Sequence, residues 1–163
     1  MRSNILVLAV AFVLVGGMAS VGLANNGKAV GPADKVTGSV VLAEGWAVSF
    51  DAHAAKADRA VKGKFVSANE NGLWVVEMDV KYVLIEGNAA YVVAVCTSDS
   101  SGIGLVGEWW YFKLVDNGQP GTKDEYYSDA LLTEAEALQK FNAKTGALAY
   151  TITDGNIMVH QPK

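Results

Sequence analysis

Gly107-Glu-Trp-Trp-Tyr-Phe-Lys-Leu-Val-Asp-Asn-Gly-Gln-Pro-Gly-Thr-Lys-Asp-Glu-Tyr-Tyr127 is the stretch that decides the fold of this chain. An aromatic strand leads into a turn rich in Gly, Pro, Asn and Asp, and a second aromatic strand begins after it. This order is typical of a β-hairpin. Side chains alternate along the first strand, with Trp109, Tyr111 and Val115 on one face and Trp110, Phe112 and Leu114 on the other. Because both faces carry large apolar groups, we expect both to be covered.

Seven further segments have the composition or the period-two alternation of strands. They are Lys35–Leu42, Trp46–Ala54, Val61–Ala68, Trp74–Tyr82, Ala89–Thr97, Leu148–Thr153 and Asn156–Gln161, and the aromatic strand itself is Val106–Val115. Between Leu148–Thr153 and Asn156–Gln161, the pair Asp154-Gly155 predicts a tight hairpin turn. Along Trp74–Tyr82 the even-numbered residues are apolar and are predicted to face the core, opposite three charged residues.

One helix interrupts this pattern. Thr133-Glu134-Ala135-Glu136 is a capping box, and good helix formers follow it as far as Ala143. Gly146 is placed to end the helix. The chain is therefore predicted to be mainly β: an antiparallel β-sandwich or barrel of about eight strands, with one short inserted helix near Thr133–Ala143.

The first residues have the pattern of an export signal. Arg2 precedes an apolar run from Ile5 to Val15, and small residues lead to a cleavage site after Ala24. We predict a signal peptide over 1–24, a flexible leader over 25–34 and a single β domain over 35–163, which places the protein in the periplasm or outside the cell. An uncleaved N-terminal anchor is the alternative. A lipid anchor is excluded because no cysteine follows the apolar run.

The charge of the chain limits its partners. Its net charge is −4, and loss of Arg2 with the signal peptide makes it −5. An acidic protein is a poor ligand for nucleic acid and for anionic membranes. The one cysteine, Cys96, cannot form an internal disulfide, so the sequence predicts a buried thiol. An intermolecular bridge and a reactive group are the alternatives.

The turn of the opening hairpin carries the best candidate metal ligands. Asp116, Asn117, Asp124 and Glu125 offer hard oxygens on a glycine-rich loop, as Ca²⁺ prefers. Their spacing differs from that of an EF-hand, and ordinary turn chemistry is the competing interpretation. His53 and His160 are the only histidines, and we expect isolated surface residues rather than a zinc site.

No catalytic residues are predicted. Glu108, Asp116, Asp124 and Glu125 are the carboxylates from which a glycosidase pair would have to come, but the sequence places no two of them across a cleft. Gly-x-Ser-x-Gly and His-Glu-x-x-His motifs and phosphate-binding loops are all missing from the sequence. Trp109, Trp110 and Tyr111 form the predicted ligand surface, because their aromatic rings could stack on a ligand; filling the core is the alternative role.

Several short motifs follow one another along the chain in a characteristic order. They are Thr37-Gly-Ser39, Ser49-Phe-Asp-Ala-His53, Val61-Lys-Gly-Lys-Phe65, Val115-Asp-Asn-Gly-Gln-Pro-Gly-Thr-Lys-Asp124 and Asp154-Gly-Asn-Ile-Met-Val-His160. In this order the chain resembles a group of small secreted bacterial β domains that share an Asp-Asn-Gly-x-Pro-Gly-x-x-Asp turn. The resemblance implies an extracytoplasmic β domain and assigns no functional residues. The helix between Tyr127 and Gly146 departs from the pattern, which has a short hairpin there.

Together these features predict a secreted, non-catalytic β domain that acts as a binding or surface-associated module. Its partner is expected to be an extracellular or cell-surface ligand, and a cation in the 116–125 turn would stabilise the fold. One alternative is a lipocalin-like carrier, since a closed barrel of about eight strands is able to hold a small apolar ligand. The other is a carbohydrate-active enzyme.

Overall fold

Nine strands and one helix account for most of the chain in a computed structural model that describes residues 34–54, 61–119 and 121–161. The strands are β1 Asp34–Leu42, β2 Trp46–Ala54, β3 Val61–Asn69, β4 Val75–Glu86, β5 Ala89–Asp99, β6 Trp109–Val115, β7 Glu125–Leu132, β8 Leu148–Tyr150 and β9 Ile152–His160. A 3₁₀ turn, Gly121–Lys123, precedes β7, and the helix α1, Glu134–Ala143, follows it.

All nine strands belong to one antiparallel sheet, which curls into a nearly closed barrel. Each strand from β1 to β7 pairs with the next, β8 pairs with β7, and β9 pairs back onto β1. Thr151 alone separates β8 from β9, so the end of the chain bridges the two edges of the meander. The predicted antiparallel β fold with one inserted helix is confirmed. Of the two predicted architectures, the structure has the barrel and not the sandwich.

The barrel interior is a packed core. Phe65 lies between two other rings, with centroids 5.2 Å from Phe50 and 4.3 Å from Phe112, and Tyr126 extends the row 6.1 Å beyond Phe112. None of these four side chains is more than 4% exposed. Smaller apolar residues fill the space around them, among them Val36, Val40, Val48, Ala52, Met78, Val92, Ala94, Leu114 and Ile157.

The helix covers the outer face of the sheet at β5 and β6. Ala137 of α1 packs against Val93 and Tyr111, and all three are fully buried. The other face of β6 points into the barrel, which confirms that both faces of this strand are covered. Thr133 caps the helix, and the predicted capping box with Glu136 is present in both directions.

The helix ends at Ala143 as predicted, but the residue that ends it is not the predicted Gly146. Lys144, rather than Gly146, is the C-cap and has a left-handed conformation with φ 59°. Its backbone N–H donates to Lys140 O at 2.7 Å, and its ammonium lies 2.6 Å from Glu86 Oε1. Contacts with β4 therefore hold a lysine in a position where local propensity favours glycine.

The predicted hairpin at Asp154-Gly155 is also wrong. Both residues lie inside β9, paired with Val41 and Val40 of β1. Gly155 has φ 104°, and a side chain there would collide with the carbonyl oxygen of Ser39. The glycine is needed for the close approach of two strands rather than for a turn.

The predicted alternation along β4 holds only in its first half. Val76, Met78 and Val80 face the core as expected. The pairing register with β5 then shifts between Val80 and Tyr82, so the side chain of Tyr82 turns outward and reaches Phe141 of α1. Trp74 lies before the strand begins and is 48% exposed. A bulge of this kind reverses the facing of every residue beyond it.

Some predictions fall on residues outside the described ranges. These are the signal peptide over 1–24 and the leader except for its last residue. Asp34, predicted to end the leader, is the first residue of β1. Within the described ranges, no helix is long and apolar enough to cross a membrane.

Candidate functional site

Three loops meet at one end of the barrel because alternate connections of an antiparallel meander lie on the same side. They are the loops 43–45, 70–74 and 100–108, and we call them together the loop end. Glu70 N donates to Gly45 O at 2.8 Å, which joins the first loop to the second. The Ser100 hydroxyl donates to Leu73 O at 3.3 Å, which joins the second to the third. The loop end is therefore one continuous surface.

The longest of these loops is ordered around a single carboxylate, that of Asp99. One oxygen accepts hydrogen bonds from the backbone N–H and the hydroxyl of Ser101, and the other accepts from Gly104 N and Leu105 N, both at 3.2 Å. These bonds, with that of the Ser101 hydroxyl as the largest influence, hold the pKa of Asp99 below its usual value. A loop fixed in this way presents its side chains in a set arrangement.

The second loop is fixed by the last residue of β3. Trp74 N donates to Asn69 Oδ1, and Asn69 N donates to Trp74 O, both at 3.0 Å. Ser100 adds a further tie, because its hydroxyl accepts from Val75 N at 2.8 Å. Leu73 and Trp74 are therefore held by hydrogen bonds on both sides of the turn.

The loop end exposes large apolar side chains. Leu105 turns inward and packs against the core, whereas its neighbours point to solvent. The exposed fractions are 72% for Leu73, 48% for Trp74, 67% for Ile103 and 61% for Val106, and we call these four residues the apolar tip. Single exposed apolar side chains are common on protein surfaces, but a group of them on adjoining loops marks an interaction site.

The charges of the loop end all have one sign. Glu44 and Glu70 are exposed and Glu108 is half-exposed, and no Lys, Arg or His occurs in the three loops. The Glu70 side chain lies against Gly45, so its carboxylate sits where the first two loops meet. Glu70 and Glu108 lie within three positions of apolar-tip residues in the sequence, and the charged side chains of the three loops are carboxylates alone.

At the opposite end, the β6–β7 turn closes the barrel. Asp124 is 6% exposed, and its two oxygens accept from Asn117 N at 2.8 Å and from Ile157 N at 2.7 Å. Asp116 accepts from Gly118 N at 2.9 Å and from Val159 N at 3.0 Å. The N–H groups of Ile157 and Val159 lie on the edge of β9 that is turned away from β1.

Asp116 and Asp124 therefore take the place of a missing strand, and we call the pair the carboxylate latch. Alternate N–H groups along an edge strand need acceptors, and here side chains supply them in place of backbone carbonyls. Gly121 allows the close fit, because a side chain there would collide with the carbonyl oxygen of Gly155. Gln119 adds a hydrogen bond of 2.7 Å to Asn156 Oδ1.

The residues predicted to bind calcium belong to this latch or border it. Asp116 and Asp124 accept backbone hydrogen bonds with all four oxygens. Asn117 donates to Lys123 O, and Glu125 accepts from the Tyr127 hydroxyl at 2.6 Å. Among the described residues, no group of three or more His, Cys, Asp or Glu side chains is placed to hold a metal ion. Calcium binding here stays a prediction.

The hydrogen bonds of the carboxylate latch lead to a different expectation from the sequence, namely that calcium leaves the thermal stability of the protein unchanged. Binding a cation at the turn would draw Asp116 and Asp124 away from the β9 edge and leave those N–H groups unpaired. Differential scanning calorimetry in millimolar Ca²⁺ and then in excess chelator should give the same melting temperature. A calcium-dependent rise that disappears in an Asp116→Asn variant would instead establish a stabilising metal site.

The predicted aromatic ligand surface is mostly buried. Trp110 is 9% exposed and faces the barrel interior, Tyr111 is fully buried beneath α1, and Trp109 is half-buried beside it. Of the three, Trp109 alone reaches solvent.

Trp74 and Val106 were predicted to begin strands, but β4 begins at Val75 and β6 at Trp109, so both lie in loops. Leu73 and Ile103 lie in turns and belong to no periodic pattern. The signals that would have found the apolar tip are Gly72-Leu-Trp74 and Gly102-Ile-Gly-Leu-Val-Gly107.

The buried hydroxyl of Tyr111 has no hydrogen-bond partner among the described residues. Burial, with a smaller contribution from the nearby Tyr91, raises the pKa of Tyr111 to about 12. Removing an unsatisfied buried polar group relieves a desolvation cost. We expect Tyr111→Phe to raise the free energy of unfolding by about 1 kcal/mol, measured by urea denaturation.

Tyr126→Phe is the matched control for this prediction. The hydroxyl of Tyr126 is also buried, but it forms a hydrogen bond with Ser128. We expect that variant to be less stable than the natural protein, by about 1 kcal/mol. A loss of stability in Tyr111→Phe as well would mean that its hydroxyl has a partner, such as a buried water.

The remaining candidate residues lie apart from one another. Cys96 is 2% exposed, which confirms the predicted buried thiol, and burial raises its pKa. His53 pairs with Asp51, and His160 is exposed on β9. Glu108 lies at the loop end, whereas the other three carboxylates considered for glycoside hydrolysis lie at the opposite end.

Two depressions mark the outer surface. One is bordered by Asp51, Lys62, Lys64 and Lys81 on β2 to β4, and the other lies between α1 and the residues that follow it. No family model, curated protein or solved structure matches this chain, so its candidate site rests on the geometry of its own residues.

Proposed function

We propose that this protein is an exported, non-catalytic binding module that engages a protein partner through the apolar tip. The observation that carries the proposal is the exposure of Leu73, Trp74, Ile103 and Val106 on two loops joined by hydrogen bonds. Burying side chains of this size on a partner is a common source of binding free energy, and tryptophan is enriched among the residues that contribute most. Export is part of the proposal and is supported by the pattern of residues 1–24.

The packed interior favours an external binding surface over a carrier. Phe50, Phe65 and Phe112 stack through the centre of the barrel, and none of the three is more than 4% exposed. A carrier needs an internal cavity that encloses most of its ligand. The separation of Glu108 from Asp116 and Asp124, with the latter two engaged in backbone hydrogen bonds, likewise favours binding over glycoside hydrolysis.

Site-specific photo-crosslinking tests the proposal. A photoreactive phenylalanine analogue is placed at Ile103 in one variant and at Met158 in another, and each is expressed in the native host. Met158 is also partly exposed but lies on β9, away from the loop end. We expect one discrete adduct from position 103, identified by mass spectrometry, and none from position 158.

The crosslink must also depend on the rest of the apolar tip. We expect Leu73→Ser and Val106→Ser to remove the adduct from position 103 without changing the melting temperature, because both side chains are exposed. Equal adducts from both positions, or an adduct that survives these substitutions, would overturn the proposal.

A further inference from the structure

We infer that the partner presents a cationic amphipathic segment, with an apolar face for the tip and Lys or Arg side chains on either side of it. This inference deepens the proposed function and rests on it. It follows from the carboxylates of the loops that carry the apolar tip.

A partner that covers the apolar tip also approaches the carboxylates at its border. Glu70 lies three positions before Leu73 in the second loop, Glu108 lies two positions after Val106 at the end of the third, and Glu44 is exposed on the first. The three loops contain no cation to neutralise them. Partial removal of water strengthens the interaction of these carboxylates with any nearby charge. An interface here is therefore favourable with a cationic partner and unfavourable with an acidic one.

The same charges disfavour two other occupants. A second copy of the chain would bring its own three carboxylates against these, and like charges placed together oppose association. An anionic bilayer would repel the same border, and the loops have none of the Lys or Arg residues that draw proteins to such surfaces. A protein segment with an apolar face and positive charge is able to cover the apolar tip and to pair with the nearby carboxylates.

Fluorescence anisotropy with synthetic peptides tests the inference. The probe is a labelled amphipathic helical peptide of about 18 residues made of Leu and Lys, long enough to form a helix when bound. Its controls are the same peptide with Glu in place of Lys and a scrambled Leu/Lys peptide with no apolar face. We expect the Leu/Lys helix to bind at least about tenfold more tightly than either control, with an affinity that falls as salt rises.

Three combined variants separate the contribution of the charges from that of the apolar contact: one removes the loop carboxylates, one is its control, and one removes apolar side chains. Glu44→Gln, Glu70→Gln and Glu108→Gln together should weaken binding about fivefold to tenfold and flatten the salt dependence. Asp51→Asn, Asp79→Asn and Glu86→Gln remove the same charge from other parts of the barrel and should leave the affinity unchanged. The pair Leu73→Ser and Ile103→Ser should abolish binding of the Leu/Lys helix.

The possible failures are distinguishable. If the Glu peptide binds as well as the Lys peptide, or if the two charge variants behave alike, the inference is overturned while the proposed function stands on its crosslinks. Flotation with phosphatidylcholine vesicles, or dimers in sedimentation velocity that vanish in Leu73→Ser, would overturn it in favour of a bilayer or a second copy. Loss of the position-dependent crosslink would overturn the proposed function itself.

Discussion

Replacing Asp124 by Asn should lower the free energy of unfolding by about 2–4 kcal/mol. The carboxylate of Asp124 accepts backbone hydrogen bonds from Asn117 and Ile157 in a site that is 6% exposed. An Asn amide has nearly the same shape but only one acceptor oxygen, so one buried N–H group would face an N–H₂ group. Chemical denaturation monitored by tryptophan fluorescence measures this loss.

Asp154→Asn is the control for the latch. The side chain of Asp154 is exposed, and its hydrogen bond runs only to the next residue, Gly155. We expect this variant to lie within about 0.5 kcal/mol of the natural protein. If Asp124→Asn were equally mild, the carboxylate latch would not be what closes the barrel at β9.

Replacing Phe112 by Ala should cost about 3–5 kcal/mol, because it removes a ring from the centre of the core. Phe112 is 1% exposed and packs on Phe65 with ring centroids 4.3 Å apart. The variant should also gain a dry internal cavity and be stabilised by a small apolar molecule such as benzene. Thermal melts with and without benzene measure both effects.

Phe141→Ala is the control for this core variant. Phe141 lies on α1, outside the barrel, and is only partly buried. Phe141→Ala should lower the free energy of unfolding by less than Phe112→Ala does. Benzene should leave the melting temperature of Phe141→Ala unchanged. If benzene stabilised the natural protein as much as Phe112→Ala, the barrel would already contain a cavity, and a carrier function would return to consideration.

Much of the fold was predictable because alternation along a strand reports which face is buried. Val48, Phe50 and Ala52 all face the core as their spacing predicts. The helix was predictable from its capping box, since a cap satisfies backbone groups within a single turn and depends little on distant residues. These are local rules, and they hold where the structure follows local preference.

The errors arose where distant residues override a local preference. Asp154-Gly155 has the sequence of a turn, but the nearby Ser39 backbone requires a glycine there within a strand. Asp116 and Asp124 were predicted as calcium ligands from their oxygens and from the glycine-rich loop, and their hydrogen bonds to β9 were not predicted. Their partners on β9 lie more than thirty positions away in sequence, at Ile157 and Val159, so no spacing rule reveals them. The apolar tip was missed because exposure of a loop side chain depends on how the loop is tied down.

We propose above that this filled barrel binds its partner through the loop end, and chemical-shift mapping is the most direct test of that binding site. Two-dimensional ¹⁵N spectra of the protein are recorded during titration with the unlabelled Leu/Lys helix. We expect the largest shifts at the backbone amides of 70–74 and 100–108, while the amides of Ile157 and Val159 at the opposite end stay unchanged. If the largest shifts occurred at core residues such as Phe65 and Phe112, or at the carboxylate latch, the loop end would not be the binding surface.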